Sequence, residues 1–281
     1  MKKILIGALL LTGCALPVMA CTGISATAKD GGYVQARTIE WGDSYLPSQY
    51  VVIPCGHEMI SYTPKGMNGA KFRARYGVVG LSIVLKDFVV EGLNEAGLSA
   101  GLFYFPHYGN YPVYDAKQNT RTVADLQLVA WMLSQFSTIE EIKAAMQDIR
   151  VVSVDTTGAS STVHWRIGDA NGRQVVLEFV DGVPCFYENE IGVLTNSPGF
   201  PWQMTNLNNY VNLYPGGAEA HQLGGVTIFP FGAGSGFQGI PGDVTPPSRF
   251  VRAAFYKATA PQCATAYDAV LQSFHILNNF D

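Results

Sequence analysis

The sequence predicts an α+β fold, a four-layer αββα sandwich in which two antiparallel sheets face each other under outer helices. Two observations carry this expectation. Strand-like segments come first, then two amphipathic helices, then strands, then two more helices, without the strict strand–helix alternation of a doubly wound parallel sheet. Gly and Pro turn signals are spread evenly, with no Pro/Gly/Ser linker and no internal repeat, so the 281 residues read as one domain. A composition of 48% hydrophobic and 14% charged residues supplies ample core for it.

Residues 1–20 read as an export signal. Lys2 and Lys3 make a positive start, 4–11 an apolar run, and Val18-Met19-Ala20 a small-residue cut site before Cys21. The single domain then spans 21–281, exported to the periplasm or secreted. A second pattern competes: Leu11-Thr12-Gly13-Cys14 resembles a lipobox, which would lipidate Cys14 and leave Cys21 internal.

Residues 22–28 form the first strand, Lys29-Asp30-Gly31-Gly32 a hairpin turn and 33–41 the returning strand. Further strands are expected over 50–54, 76–85 and 88–91, a turn over 92–97, and a strand over 98–105. Val123, Leu126, Ala130 and Leu133 mark one face of a helix over 122–135. Ser137-Thr138-Ile139-Glu140 is a capping box opening a second helix with Ile139, Ile142, Met146 and Ile149 inside. Strands follow over 151–154, 162–167, 175–179, 183–187 and 192–195. Residues 202–214 read as a short helix or loop, and 248–259 and 265–275 as helices.

A net charge of −4 without basic clusters argues against a nucleic-acid partner. No segment after residue 20 reaches the ~18 apolar residues of a membrane span. Cysteines stand at 14, 21, 55, 185 and 263, with no CxxC, and the five histidines stand alone, so neither a metal nor another cofactor is expected. With Cys14 in the leader and Cys21 reactive, three cysteines leave room for at most one disulfide.

A cut after Ala20 changes the chemistry of Cys21. Its α-amine, with a pKa near ~8, is partly neutral at pH 7 and serves as a base for the thiol on the same residue. Three other stretches stand out. Arg37 and Glu40 lie near the end of the returning strand, as a surface pair or as site residues; both face Cys21 only if that strand twists or bulges, since residues three apart point to opposite faces. Asn196-Ser197-Pro198 ends a strand, as turn chemistry or as a donor. Arg249 opens a helix after Gly239-Ile240-Pro241-Gly242-Asp243.

Taken together, Cys21-Thr22-Gly23, Arg37-x-x-Glu40, Gly92-Leu93-Asn94-Glu95-x-Gly97-Leu98, Leu194-Thr195-Asn196-Ser197-Pro198 and Ser248-Arg249-Phe250-Val251-Arg252 resemble the choloylglycine hydrolase family, which holds bile salt hydrolases and penicillin V acylases. The resemblance runs from Cys21 to the C-terminus. It implies the N-terminal nucleophile hydrolase fold and an amidase of linear carbon–nitrogen bonds. Cys21 is then the nucleophile and its amine the base. Arg37 favours the thiolate, and Glu40 orients the amine. Asn196 and a backbone N–H near Tyr104 hold the oxyanion, while Arg249 supports the charge of the site. Glu40 stands where family members usually carry Asp, with Asp43 the alternative carboxylate. Relatives continue past the last helix with further strands, so the resemblance also implies a C-terminally short chain with an unpaired sheet edge. It implies a homotetramer as well.

The expected substrate is a small amide with an apolar acyl group. Residues 102–108 supply aromatic surface, with Tyr104 and Trp41 as pocket walls. Tyr104 resembles the aromatic of penicillin V acylases, where many bile salt hydrolases have Asn. Alternatives are an N-acyl homoserine lactone acylase of the same family, a Cys–His hydrolase pairing Cys185 or Cys263 with His164 or His275, and a Cys14-lipidated binding protein without catalysis.

Overall fold

The computed structural model describes residues 19–41, 46–154 and 162–280. The leader up to residue 18, with Cys14, and also Asp43 lie outside them. Strands β1 (Met19–Thr27) and β2 (Tyr33–Trp41) form the first hairpin. Seven strands then build the large sheet: β3 (Ser48–Ile53), β4 (Val78–Ile83), β5 (Val89–Asn94), β6 (Ser99–Tyr104), β7 (Val163–Gly168), β8 (Gln174–Val180) and β9 (Val183–Glu188). They lie side by side in chain order, each antiparallel to the next. Strand β10 (Val193–Leu194) returns to pair with β1 at Gly23 and Ile24, giving a three-stranded sheet ordered β10-β1-β2.

Helices α1 (Leu128–Gln135) and α2 (Ile139–Ala145) cover the outer face of the large sheet. Helix α3 (Phe200–Asn206) follows β10. Helices α4 (Pro246–Thr259) and α5 (Ala266–Leu277) cover the small sheet, α4 over β1 and α5 over β1 and β2. The layers are those the order of segments predicts.

Period-two alternation separates the two faces of the large sheet. Ala100, Leu102, Val163, Trp165, Ile167 and Leu177 join α1 and α2 in one apolar core. The alternate residues Phe103, His164, Arg166, Val176 and Glu178 turn inward, toward the small sheet. Polar chemistry is therefore built between the sheets. The free edge of β2 borders a groove of about 1130 Å³ lined by Tyr33, Arg37 and Ile39 on one side and Val52, Leu81 and Leu93 on the other.

Three local expectations are corrected. Residues 122–127 are not helical: Thr122–Ala124 is a short strand parallel to Arg150–Val152, and Asp125–Gln127 a 3₁₀ turn. The β-branched Thr122 and Val123 favour that extended pairing, and α1 starts only at Leu128. The strand expected over 151–154 is this short partner and stands outside the main sheets. The turn expected over 92–97 starts later, because β5 runs through Asn94, whose Oδ1 accepts from the backbone of Ala96 and Leu98.

Asp125 is wholly buried, which pushes its carboxyl up to about 7 against hydrogen bonds from the backbone of Leu126 and Val154 and from Ser153. Folding therefore favours its protonated form. Its stabilising contribution is complete below pH ~4 and is lost as pH rises through 7, at up to about 1.4 kcal/mol per pH unit. Asp125→Asn removes that slope: the urea midpoint should fall less between pH 4 and 8 in the variant than in the wild type.

Candidate active site

Cys21 sits in the middle strand of the small sheet, 6% exposed. Its backbone N–H donates to Asn196 Oδ1 at 2.9 Å. Arg249 binds the same two residues and Thr22: Nη1 donates to Cys21 O at 2.6 Å and to Thr22 Oγ1 at 2.8 Å, and Nη2 donates to Asn196 Oδ1 at 2.7 Å. A carboxamide oxygen with two lone pairs thus accepts from both neighbours. Asn196 Nδ2 donates to Tyr104 O at 2.7 Å, which leaves the second hydrogen of this amide for another acceptor. Residues 21, 104, 196 and 249, far apart in sequence, meet at one point because β1, the end of β6, the turn after β10 and the first turn of α4 converge there.

The local sequence explains each placement. Gly23 lets the two sheets approach: a Cβ there would lie 2.6 Å from Phe103 and 2.8 Å from Arg166. Phe105 N–H donates to Thr162 O, so the preceding N–H, that of Tyr104, points away from β7. Thr245 and the Asp243 carboxylate, which accepts from the Ser248 hydroxyl at 2.6 Å and from the Thr245 N–H at 2.9 Å, fix the entry to α4. These bonds hold the Asp243 carboxyl down at about 2.

Arg249 is 1% exposed. Burial pushes its guanidinium below the ordinary arginine value; negative charge on Glu40 and Cys21 opposes this, and Arg252 adds to it. Arginine stays protonated even so, so a fixed positive charge lies beside the cysteine.

The hairpin keeps regular register from Met19 opposite Trp41 to Thr27 opposite Tyr33, without the bulge that would turn Arg37 and Glu40 to one side. Arg37, opposite Gly23, shares the face of Cys21; Glu40, opposite Ala20, lies on the other face, from which its charge acts on Arg249. Glu40 Oε1 is buried without a hydrogen-bond partner. Arg37 does not stand free beside the thiol. Its guanidinium lies 4.0 Å above the Phe103 ring, binds Leu102 O and Thr38 O, and pairs with Glu91 at 3.5 Å. The Glu91 carboxylate also holds Arg166 at 3.0 Å. Tyr104 enters through its backbone carbonyl and is partly buried. The Trp41 side chain lies outside the described residues.

Sequence reasoning gives no role to Thr22, Glu91, Arg166 and Glu178, and names His164 only as a dyad partner for a cysteine. The signal is present for Arg166 and Glu178: a charge inside an apolar strand must be paired.

Cys21, Cys55, Cys185 and Cys263 are all free thiols. His164 binds Glu178 through Nδ1 and Thr195 O through Nε2, and Cys185 stands beyond Glu178 on the next strand. Both ring nitrogens are engaged elsewhere, so a Cys185–His164 dyad is not formed. Among the described residues, no three His, Cys, Asp or Glu side chains gather to hold a metal ion, and no helix is long and apolar enough to cross a membrane.

The pattern of the linear amide C–N hydrolases, choloylglycine hydrolase family, matches residues 21–281. A bile salt hydrolase/transferase of Clostridium perfringens (strain 13 / Type A) is 32% identical over 263 residues, covering 92% of this chain and 78% of that protein. The crystal structure of a variant conjugated bile acid hydrolase from Clostridium perfringens matches with a TM-score of 0.78 at 30% identity, over 92% of this chain and 78% of that one. Penicillin V acylase from Agrobacterium tumefaciens shares the fold, with a TM-score of 0.73 at 24% identity over 92% and 72% of the two chains. Identity of this extent, with a match that begins at the cysteine where Asn196 and Arg249 converge, means that the chain belongs to the choloylglycine hydrolase family and is an amidohydrolase of linear carbon–nitrogen bonds.

Proposed function

We propose that the chain is exported, cut after Ala20, and works as a cysteine amidase whose nucleophile and base are the thiol and the freed α-amine of Cys21. One observation carries this reading: the nitrogen of Cys21 already lies 2.9 Å from the Asn196 carboxamide oxygen. After the cut that nitrogen is an amine, held by Asn196 through one hydrogen, with its lone pair free to take the thiol proton. The thiolate attacks the acyl carbonyl. The oxyanion receives the second Nδ2 hydrogen of Asn196 and the backbone N–H near Tyr104. Collapse breaks the carbon–nitrogen bond, the leaving amine takes the proton from the Cys21 ammonium, and a thioester remains. Water, deprotonated by the same amine, attacks the thioester and restores the thiol.

Loss of Ala20 also removes the residue opposite Glu40. Its unpartnered carboxylate oxygen then serves the new ammonium, which is the role we assign to it. Arg249, bound to the Cys21 carbonyl, supplies a fixed positive charge beside the nucleophile, and Arg37, paired with Glu91, lies on the face of Cys21.

Glycine- or taurine-conjugated bile acids are the substrates we assign first, on the names of the relatives above. Tyr104, an aromatic residue whose backbone carbonyl holds the Asn196 amide, favours a second reading in which a phenoxyacetyl amide such as penicillin V is also cleaved. We further assign a homotetramer to the mature protein: the hairpin of His221–Leu223 and Val226–Ile228 exposes Leu223, Val226, Phe229 and Phe231 together, an apolar surface suited to contact between copies.

The intact mass of the exported protein tests the cut. A chain starting at Cys21 is expected, and a diacylated Cys14 would overturn the amidase. Release of glycine or taurine, measured against release of phenoxyacetate, then ranks the substrates, and sedimentation gives the number of copies.

A further inference from the structure

His164 and Glu178 are buried at 0% and 1% exposure, on the face of the large sheet that turns toward the small sheet. They face each other across β7 and β8, one step beyond the Trp165–Leu177 pair, with His164 Nδ1 3.0 Å from Glu178 Oε1. Each also reaches out of the pair. His164 Nε2 lies 3.1 Å from Thr195 O, and Glu178 Oε1 accepts the backbone N–H of Phe200 at 2.8 Å. These two backbone groups bracket the turn 195–200, whose second residue is Asn196. The other oxygen of Glu178 packs on the same turn: a Cβ on Gly199 would lie 3.1 Å from Oε2. Phe105 stacks flat on the imidazole at 4.3 Å between centroids and fixes its plane. Phe105 directly follows Tyr104, whose carbonyl holds the Asn196 amide.

We propose that the His164–Glu178 pair is a clamp that positions Asn196 for oxyanion binding, acting through the backbone at both ends of the 195–200 turn. The reading rests on the amidase function proposed above. Proton bookkeeping defines the clamp. A carbonyl only accepts, so Nε2 must carry hydrogen to bind Thr195 O. The Nδ1–Oε1 contact then needs one further proton, on either atom, and the pair as a whole is neutral wherever that proton sits. Three bonds in series, Thr195 O to imidazole to carboxylate to Phe200 N–H, fix the width of the turn. A displacement of Asn196 by a fraction of an ångström moves its donor off the oxyanion, and that loss falls on turnover rather than on substrate binding.

Two substitutions separate the clamp from simple packing. In His164→Gln the Gln amide takes the place of Nε2–H and keeps the bond to Thr195 O; in His164→Asn it reaches only the place of Nδ1, and that bond is lost. Glu178→Gln keeps the shape but not the bonding. If its oxygen faces the pair, a neutral imidazole must donate from Nδ1 and gives up Nε2–H. If its nitrogen faces the pair, the Phe200 N–H has no acceptor. One bond of the three is lost either way.

The experiment uses the chain beginning at Cys21 and measures kcat and KM on a glycine-conjugated bile acid and on penicillin V, amide hydrogen exchange of segment 195–200, and Tm. His164→Asn and Glu178→Gln are expected to lower kcat on the order of 30-fold or more per folded molecule, with KM changed less than about threefold and faster exchange confined to 195–200. His164→Gln is expected to recover most of the turnover. The clamp is overturned if exchange in 195–200 is unchanged in Glu178→Gln, if kcat of that variant stays within about threefold of wild type, or if His164→Gln loses as much as His164→Asn. Should His164→Asn fail to fold, Glu178→Gln decides. If the wild-type chain cleaves neither substrate, the proposed function fails, and the exchange data alone judge the clamp.

Discussion

Cys21→Ala is expected to lower amide hydrolysis by on the order of 10⁴-fold or more, as loss of a covalent nucleophile does. Stability should change little, because the substitution removes one sulfur atom from a strand whose backbone bonds to Asn196 and Arg249 remain. Cys21→Ser should retain trace activity at most: a hydroxyl ionises far less readily than a thiol and has only the same weak amine as its base. The informative control is the set of other thiols. Cys55 is exposed, and Cys185 and Cys263 are partly exposed, so access alone favours their alkylation over that of Cys21. Alanine at these three positions should leave kcat unchanged. Full activity in Cys21→Ala, with loss on replacing Cys185 or Cys263, would restore the Cys–His hydrolase and end the N-terminal nucleophile reading.

Much of the fold and of the site is legible in the sequence, and the reason is local chemistry. The hairpin from Cys21 to Trp41 announces itself through the Lys29-Asp30-Gly31-Gly32 turn between two strand-like segments, and its register follows from the turn. The sites at Asn196 and Arg249 are visible because each begins or ends an element, at the Asn196-Ser197-Pro198 turn and the Pro-rich entry to α4. Residues that leave a strand or open a helix carry recognisable turn signals. They also carry chemistry, since their side chains face the ends of the layers.

Residues inside strands are harder to place. Arg166, His164 and Glu178 occupy inward positions of β7 and β8; in β7 His164 and Arg166 alternate with Val163, Trp165 and Ile167 and so read as a solvent face, although both faces are buried. Alternation there does not separate inside from outside. It separates a helix-packed face from a sheet-packed face, and only the partner strands reveal which is which. Glu91 is similar: it sits in a strand next to a turn motif, yet its role is to join Arg37 and Arg166 across the gap between sheets. The face assignment of Glu40 needs the actual register, because a single bulge in β2 would reverse it. The helix start expected at 122–127 fails for a related reason, since a one-strand parallel partner 26 residues or more away in sequence outweighs local periodicity.

Asn196→Ala combines two losses that a second variant separates. Removing the carboxamide takes away an oxyanion donor, worth about 10²- to 10³-fold in kcat. It also strands its partners: Arg249 Nη2 and the Cys21 nitrogen lose their shared acceptor at a site where Arg249 is 1% exposed, at a cost of about 1–3 kcal/mol of stability. Asn196→Asp keeps the acceptor and places a carboxylate against the buried guanidinium, so it should recover stability lost in the alanine variant, less the repulsion of its second oxygen by Tyr104 O. It has no N–H to give the oxyanion and adds negative charge where negative charge develops. Its kcat should therefore lie at or below that of Asn196→Ala while its denaturation midpoint lies above. A stable Asn196→Asp enzyme with wild-type turnover would mean that Asn196 only organises Arg249 and Cys21, and that the oxyanion is bound elsewhere.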